Sequence, residues 1–192
     1  MRESLICFAN QGFEGTSLND IAAGVGIKRP SLLHYFPTKE AIYRTILEEA
    51  LLDWGARVDA MNDSDADGWD RVDAVLLASF EFMKLNPLVI RIVRREAMTE
   101  HSDLGINLGE ALRPFFDRAV AFFRREMDRG VFREHDEENL VLTGYGALLT
   151  YFSDYRMLTG LLGTDPYTDD ALEARLQHMK SFIRAALEPQ PD

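Results

Sequence analysis

The stretch GVGIKRPSLLHYFPTK, residues 24–39, gathers basic and hydroxyl-bearing side chains without a single acid. The positive charges of Lys28 and Arg29 at one end and of Lys39 at the other enclose the hydroxyl or imidazole groups of Ser31, His34, Tyr35 and Thr38. Groups of this kind bind phosphate oxygens, and an arginine or lysine side chain can also donate hydrogen bonds to the edge of a guanine base. The chemistry of this stretch therefore predicts a contact with nucleic acid.

Charge is distributed unevenly along the chain. The 192 residues carry a formal net charge of -11. Up to residue 45, five basic side chains stand against four acidic ones, a net charge of +1, so the remaining residues carry -12. Neutralisation of phosphates by Lys and Arg supplies most of the sequence-independent affinity of proteins for DNA. The N-terminal end is therefore the part of the chain suited to face DNA.

Two short helices must position these side chains. The segment Ser17-Leu18-Asn19-Asp20 matches a capping box, which satisfies the free amide groups at a helix start. Gly24 and Gly26 supply a tight exit from that helix, and Pro30 suits the first turn of the next one because its missing N–H would have no partner there. This pattern is typical of a helix-turn-helix, whose second helix enters the DNA major groove.

Helical periodicity continues along the remaining chain and predicts an all-α fold of about nine helices. We expect the first helix to stop at Gly12 and a long helix to start at Lys39, with Thr38 as its cap. Further helices are predicted at about 69–85, 87–100, 108–129, 136–161 and 168–187, with loops at 62–68 and 101–107. Residues 1–45 would form a three-helix DNA-binding domain, joined through the long helix to a larger helical bundle over residues 46–192.

Composition indicates the cellular compartment in which the protein works. One cysteine, Cys7, excludes an internal disulfide framework and fits a reducing compartment. No apolar run approaches the length that spans a membrane, and the N-terminus lacks the features of a signal peptide. We therefore expect a cytoplasmic protein with no membrane partner and no cofactor.

A specific order of residues runs through about the first 45 positions. It comprises Gly12, Thr16-Ser17-Leu18, Ile21-Ala22, Gly26-Ile27, Ser31-Leu32, His34-Tyr35-Phe36 and Thr38-Lys39-Glu40-Ala41-Ile42. In order and spacing these residues resemble the N-terminal domain of the TetR family of transcriptional regulators. That resemblance implies a homodimer that binds double-stranded operator DNA and responds to a small-molecule effector, most often as a repressor.

Carried over position by position, the resemblance assigns the start of the second helix to the DNA backbone, the third helix to the bases, and Lys39 to a phosphate. The predicted DNA contacts are Thr16, Ser17, Lys28, Arg29, Pro30, Ser31, Leu33, His34, Tyr35 and Lys39. Three positions depart from the family pattern: Lys28 replaces a capping serine, Leu33 a frequent tyrosine, and Val25 a small alanine. Met1 aligns inside the first helix, so either the start is trimmed or affinity depends more on the third helix.

The larger part carries wide apolar stripes. The resemblance implies a ligand cavity among its helices, and a cavity with few polar groups suits a hydrophobic or aromatic effector. The side chains predicted to line it are Trp54, Phe80, Met83, Phe116, Phe123 and Tyr151. The resemblance further implies that a ligand bound beside the fourth helix tilts the DNA-binding domains and so releases the operator.

Two further stripes, on the last helices, predict a dimer interface. Small residues along them permit close approach, and two helices from each subunit would form a two-fold four-helix interface. The residues predicted to form it are Leu140, Gly144, Leu148, Tyr151, Tyr155, Leu172, Leu176, Met179 and Ile183.

An enzyme and a ligand-binding or partner-binding module are the two alternative classes of function. An enzyme would need a catalytic or metal constellation, but His101, His135 and His178 lie on separate segments, and His135-Asp136-Glu137-Glu138 reads better as an exposed acidic turn than as a metal site. The other alternative is an all-α module that binds a ligand or a protein partner and has weakened DNA binding.

Overall fold

The computed structural model describes residues 1–62, 68–98 and 107–189. Within these residues the chain forms helices only. They are α1 (Arg2–Gly15), α2 (Leu18–Val25), α3 (Arg29–Tyr35), α4 (Lys39–Asn62), α5 (Gly68–Leu85), α6 (Pro87–Ala97), α7 (Leu108–Asp128), α8 (Glu137–Ser153), α9 (Tyr155–Leu162) and α10 (Asp169–Leu187). The all-α prediction is confirmed. Most of the two predicted loops at 62–68 and 101–107 lies outside the described residues, as does His101.

The described residues form one helix more than the sequence predicted, because the segment 136–161 divides into α8 and α9 at Asp154. The backbone of Asp154 leaves the helical region at φ -104° and ψ 35°. Its carboxylate accepts a hydrogen bond from the Ser153 hydroxyl at 2.5 Å. Short polar side chains of this type compete with the helical backbone, and this competition accounts for the break.

The described helices pack as two compact units. The N-terminal unit comprises residues 1–53 and 86–111, and the C-terminal unit comprises residues 54–85 and 112–192. Packing thus groups α6 with α1, α2, α3 and the first part of α4. The predicted boundary at residue 45 marks the extent of the sequence resemblance and stays a prediction about function.

A small core holds the N-terminal unit together. Phe8, Ile21 and Ile42, from α1, α2 and α4, are at most 1% exposed, and Ile92 of α6 joins them. The ring of Tyr43 meets the ring of Phe8 edge to face, with centroids 5.0 Å apart. Burial of such side chains stabilises a fold by about 1.5–3 kcal/mol each. The helix-turn-helix therefore depends on α4 and α6 for half of the buried residues of its core.

Gly12 kinks α1 rather than ending it as predicted. The helix continues to Gly15, but Gly12 has φ 77° and ψ 177°, a conformation essentially restricted to glycine. Two donors bind carbonyl groups at the kink: the Thr16 hydroxyl binds the Gly12 oxygen at 2.7 Å, and the Lys39 ammonium binds the Phe13 oxygen at 2.8 Å. A Cβ atom on Gly12 would collide with the Arg95 guanidinium. The kink is therefore held by side chains from three helices or their caps.

The C-terminal unit has its own aromatic core. Phe80 of α5 and Phe152 of α8, each 2% exposed, meet edge to face with ring centroids 4.9 Å apart. A second cluster joins Val72, Phe122, Phe132 and Leu187. Beside it the fully buried Glu126 carboxylate pairs with two arginines, Arg125 at 2.9 Å and Arg129 at 3.1 Å. These pairs offset the cost of burying that charge.

We expect Gly12→Ala to lower the free energy of unfolding by about 2–4 kcal/mol, because an alanine cannot adopt this backbone conformation without strain and its methyl group meets Arg95. Urea denaturation followed by circular dichroism measures the change. The matched control is Gly160→Ala, at a position within α9 with open space around it. That variant should be unchanged or slightly more stable, and equal effects of the two substitutions would contradict the role given to the kink.

Lys39→Met tests the second support of the kink. The Lys39 ammonium lies 4.1 Å from the centroid of the Phe13 ring as well as on the Phe13 oxygen. Loss of both contacts should cost about 1–3 kcal/mol of unfolding free energy. Lys28→Met, at an exposed lysine, should change stability by less than about 0.5 kcal/mol. A Lys39 variant as stable as the Lys28 variant would show that the ammonium does not support the kink.

Candidate nucleic-acid interface

Local chemistry fixes the geometry of α2 and its exit. The Ser17 hydroxyl accepts the Asp20 N–H at 3.1 Å, while the Asp20 carboxylate accepts the Ser17 N–H at 3.2 Å. The predicted capping box is therefore confirmed. At the other end Gly26 adopts the left-handed conformation at φ 77° and ψ 26°, and the Ile27 N–H donates to the Ala22 oxygen at 3.0 Å. This closed turn sets the angle at which α3 leaves α2.

One side of α3 is anchored and the other is open. Leu32, 6% exposed, packs into the core of the N-terminal unit. The other faces of α3 carry exposed side chains: Lys28, Arg29, Pro30, Ser31, His34 and Tyr35. Tyr35 is 73% exposed, and its ring meets the His34 ring edge to face at 5.5 Å. Six of the predicted DNA contacts thus lie together on an exposed surface, which we call the α3 face.

The polar side-chain groups of the α3 face have no hydrogen-bond or ion-pair partner within the described part of the chain. Lys28 is the N-cap of α3 but caps only through its main chain: its carbonyl oxygen accepts the Ser31 N–H at 2.9 Å, and its side chain makes no capping bond. Since lysine carries no acceptor, its ammonium stays available. The Lys28 and Arg29 side chains are exposed and form no ion pair with any described residue. They can therefore bind an external anion.

Three predicted DNA contacts have other roles in the structure. Thr16 is only 2% exposed and its hydroxyl binds the Gly12 oxygen, so it lacks the surface that a phosphate contact needs. The Ser17 hydroxyl donates to the Asp20 carboxylate at 2.6 Å. Lys39 is half-buried on Phe13. These groups build the kink and the capping box, and their contacts with DNA stay predictions. The tenth predicted contact, Leu33, is half-buried.

The residues predicted to line a ligand cavity divide into core and half-buried positions. Phe80 and Met83 of α5 are buried, and Phe123 packs against the cluster around Phe122 and Phe132. Trp54, Phe116 and Tyr151 are half-buried. The Trp54 ring lies 5.5 Å from the Phe82 ring. Their role in ligand binding stays a prediction.

Sequence reasoning missed an aromatic and cationic group near Tyr151. The Tyr151 hydroxyl donates to the Pro166 oxygen at 2.7 Å, and the Tyr167 hydroxyl donates to the Phe152 oxygen at 2.6 Å. The Arg175 guanidinium lies 5.0 Å from the Tyr151 ring centroid and donates to the Ala147 oxygen at 3.1 Å. Burial raises the pKa of Tyr151, so its hydroxyl remains a donor. These contacts join α8, the loop before α10, and α10.

The interface prediction for α10 needs correction. Leu172, Leu176 and Met179 are 4%, 6% and 3% exposed, so they face the interior of their own subunit. The Leu148 side chain is also buried, whereas Leu140, Gly144, Tyr151 and Ile183 are half-buried and Tyr155 is exposed. Other apolar side chains of these helices are exposed instead: Leu142 and Tyr145 of α8, Met157, Leu161 and Leu162 of α9, and Phe182 of α10.

The acidic turn at 135–138 has structural roles. The Asp136 carboxylate accepts the Asn139 N–H at 2.8 Å and so caps α8, while Glu137 binds Arg124 at 2.9 Å. The Arg124 partner lowers the pKa of the Glu137 carboxyl. In the described ranges no three metal-binding side chains lie close enough to hold an ion. The same ranges contain no helix that is long and apolar enough to cross a membrane.

Proteins of similar sequence are named as transcriptional regulators. The HTH-type transcriptional repressor KstR2 of Mycobacterium tuberculosis H37Rv is 36% identical over 91 residues, 47% of this chain and 45% of KstR2. The HTH-type transcriptional regulator RutR of Escherichia coli K12 is 40% identical over 63 residues, 33% of this chain and 30% of RutR. Each match therefore spans less than half of the curated relative.

Solved structures extend the likeness over nearly the whole chain. The ketosteroid transcriptional regulator KstR2 of Mycobacterium tuberculosis has a TM-score of 0.83 at 20% identity, covering 98% of this chain and 93% of that one. AibR, in complex with isovaleryl coenzyme A and operator DNA, has a TM-score of 0.78 at 16% identity and covers 94% of both chains. At these identities the likeness shows a shared fold.

Two family models decide the classification. Residues 2–46 match the model of bacterial regulatory proteins of the tetR family, and residues 70–183 match the Tetracyclin repressor-like C-terminal domain. The first match covers the helix-turn-helix and the start of α4, and the second covers most of the C-terminal unit. Members of this family are regulators rather than enzymes, which decides against the enzymatic alternative. The chain belongs to the TetR family of DNA-binding transcriptional regulators.

Proposed function

We propose that this chain is a homodimeric, sequence-specific DNA-binding repressor of the cytoplasm, released from its operator by a hydrophobic or aromatic effector. The observation that supports DNA binding most directly is the α3 face, where exposed aromatic side chains, and cationic side chains that form no ion pair with the described residues, surround a helix anchored by Leu32. A helix held in this way can enter the major groove with its side chains already extended. Charge segregation supports the same conclusion, since the acidic excess lies beyond residue 45.

The α3 face divides into two chemical halves. At its start, Lys28 and Arg29 carry donors suited to the N7 and O6 acceptors of guanine. At its end, His34 and Tyr35 offer hydrogen-bonding groups suited to phosphates. Leu33, half-buried beside them, exposes part of an apolar side chain suited to a thymine methyl group. We therefore propose that the operator half-site contains guanine near the N-terminus of α3.

A second copy of the chain is the partner that best fits the exposed apolar side chains of the C-terminal unit. Leu142 is 52% exposed, Tyr145 43% and Phe182 57%. The Arg175–Ala147 bond holds α8 and α10 together within one subunit. A two-fold axis would pair these helices with their copies, and two recognition helices about 34–36 Å apart would then read successive turns of a palindrome.

The effector is proposed to be hydrophobic because the C-terminal unit is rich in aromatic contacts and poor in buried charge. Apart from Glu126, which is paired, its described charged side chains are exposed or half-buried. Two proteins of similar fold are a putative fatty acid metabolism regulator of Clostridium perfringens and the fatty acid degradation regulator FadR of Bacillus halodurans, and AibR binds isovaleryl coenzyme A. A ligand lowers operator affinity only to the extent that it binds the released state more tightly.

Arg29→Ala tests the base-reading role. With the duplex that the wild type selects from a random pool, we expect specific affinity to fall about tenfold or more, corresponding to about 1–3 kcal/mol for the loss of a bidentate guanine contact. Affinity for unrelated duplex should fall much less. Arg156→Ala is the matched control, because it removes the same charge from an exposed position on α9.

Binding is measured by fluorescence anisotropy at several salt concentrations, since phosphate contacts make affinity fall with salt. An Arg29 variant that binds the selected duplex as tightly as the Arg156 variant would contradict the base-reading role. Failure of the wild type to select any duplex would instead favour the alternative, a ligand-binding or partner-binding module with weakened DNA binding.

Phe182→Glu tests the partner surface. A carboxylate placed on the proposed two-fold interface should weaken dimerisation at least about tenfold, since it must be desolvated against its own copy. Sedimentation velocity over a concentration series measures the dissociation constant. Gln177→Glu adds the same charge to another exposed position of α10 and should leave the dimer intact. If both variants dimerise like the wild type, the interface lies elsewhere.

A further inference from the structure

A buried hydrogen bond joins α4 to α6. The Tyr43 hydroxyl donates to Glu96 Oε2 at 3.0 Å, and the two residues are 3% and 9% exposed. The other carboxylate oxygen, Glu96 Oε1, is buried without a hydrogen-bond partner in the described chain. Burial, assisted by the Glu96 carboxylate, raises the pKa of Tyr43, so the hydroxyl keeps its proton. Tyr43 is therefore a permanent donor to this carboxylate.

The direction of this bond is fixed by α1. The Tyr43 ring meets the Phe8 ring edge to face at 5.0 Å and the Phe13 ring at 5.2 Å. Next to Glu96, the Arg95 guanidinium donates to the Phe8 oxygen at 3.4 Å and covers Gly12. The last turn of α6 is thus attached to α4 through Glu96 and to α1 through Arg95.

The attachment of α6 to α4 lies close in sequence to the points where the chain passes between the two units. The chain passes between the two units at three points: between residues 53 and 54, between 85 and 86, and between 111 and 112. The first point lies on α4, and the other two lie on either side of α6. Tyr43 and Glu96 therefore tie together the two segments through which the N-terminal unit is covalently connected to the rest of the protein.

We infer that Tyr43 and Glu96 are positioning residues for DNA binding: their bond fixes α6 against α4 and thereby the orientation in which α3 meets its half-site. This inference rests on the proposed function. A dimer that reads two half-sites at once requires both α3 helices in register, and one inserted base pair displaces a half-site by about 3.4 Å along the duplex. Loss of the bond should therefore reduce discrimination between half-site spacings and leave the contact with a single half-site unchanged.

The test uses the homodimer of the 192-residue chain and three duplexes. The first is the duplex that the wild type selects from a random pool, the second has one base pair inserted between the half-sites, and the third has a single half-site. Affinities are measured for the wild type, Tyr43→Phe, and the double variant Tyr43→Phe with Glu96→Met. Tyr151→Phe is the matched control, because it removes another tyrosine hydroxyl bond, to the Pro166 oxygen at 2.7 Å, in the C-terminal unit.

The wild type should prefer the native spacing by about tenfold or more. In Tyr43→Phe we expect a preference below about threefold, with single-half-site affinity within about twofold of the wild type. Tyr43→Phe alone strands a buried carboxylate and should also lower thermal stability, whereas the double variant removes both partners and should regain much of that stability. Its spacing preference should nevertheless stay weak, and Tyr151→Phe should keep the wild-type preference.

Recovery of both stability and spacing preference in the double variant would overturn the inference, because the bond would then have a purely structural role. Retention of the wild-type preference by Tyr43→Phe would overturn it as well. These outcomes differ from a failure of the proposed function, in which the wild type itself selects no duplex and the inference fails with it.

Discussion

At Gly12 the backbone of α1 adopts a conformation reserved for glycine, and the elements of the N-terminal unit are attached around that point. The Thr16 hydroxyl closes the kink toward α2, the Lys39 ammonium closes it from the start of α4, and Arg95 covers it from α6. A helix of this length without the kink would carry the chain away from the α2 start. The placement of the helix-turn-helix therefore depends on one residue that has no side chain.

This arrangement explains why the predicted DNA contacts divide into two groups. The polar groups of Thr16, Ser17 and Lys39 form hydrogen bonds within the kink and the capping box, which hold α2 and α4 in place. The Lys28 and Arg29 side chains form no hydrogen bond or ion pair with the described residues and remain exposed on the α3 face. The first group builds a rigid support, and the second group is free to vary with the DNA sequence that is read. Rigid support is what allows a short helix to present side chains with little loss of conformational entropy on binding.

The features that the sequence predicted correctly depend on interactions between residues close together in the chain. The capping box at Ser17 and the turn at Gly26 involve residues a few positions apart, so the printed sequence contains both partners. Burial of Thr16 could not be foreseen, because it follows from the kink at Gly12 rather than from any property of threonine. The Tyr43–Glu96 bond joins residues 53 positions apart and leaves no trace in periodicity. Long-range contacts of this kind are decided by packing.

The α10 helix shows a second limit of sequence reasoning. It carries two apolar stripes, and periodicity cannot tell which one faces the subunit interior. Leu172, Leu176 and Met179 face the interior, while Phe182 lies on the exposed stripe. The chain has a formal net charge of -11, so a stripe of exposed apolar side chains on it is more consistent with contact with a partner protein than with exposure to solvent.

Hydroxyl-radical footprinting of the wild type on its selected duplex tests most directly whether two α3 faces read DNA together. Two protected segments on the same side of the duplex are expected, with centres one helical turn, about 10–10.5 base pairs, or a whole multiple of it apart. A single protected segment, or uniform protection that follows the protein concentration regardless of sequence, would contradict a dimer that places both α3 faces in the major groove.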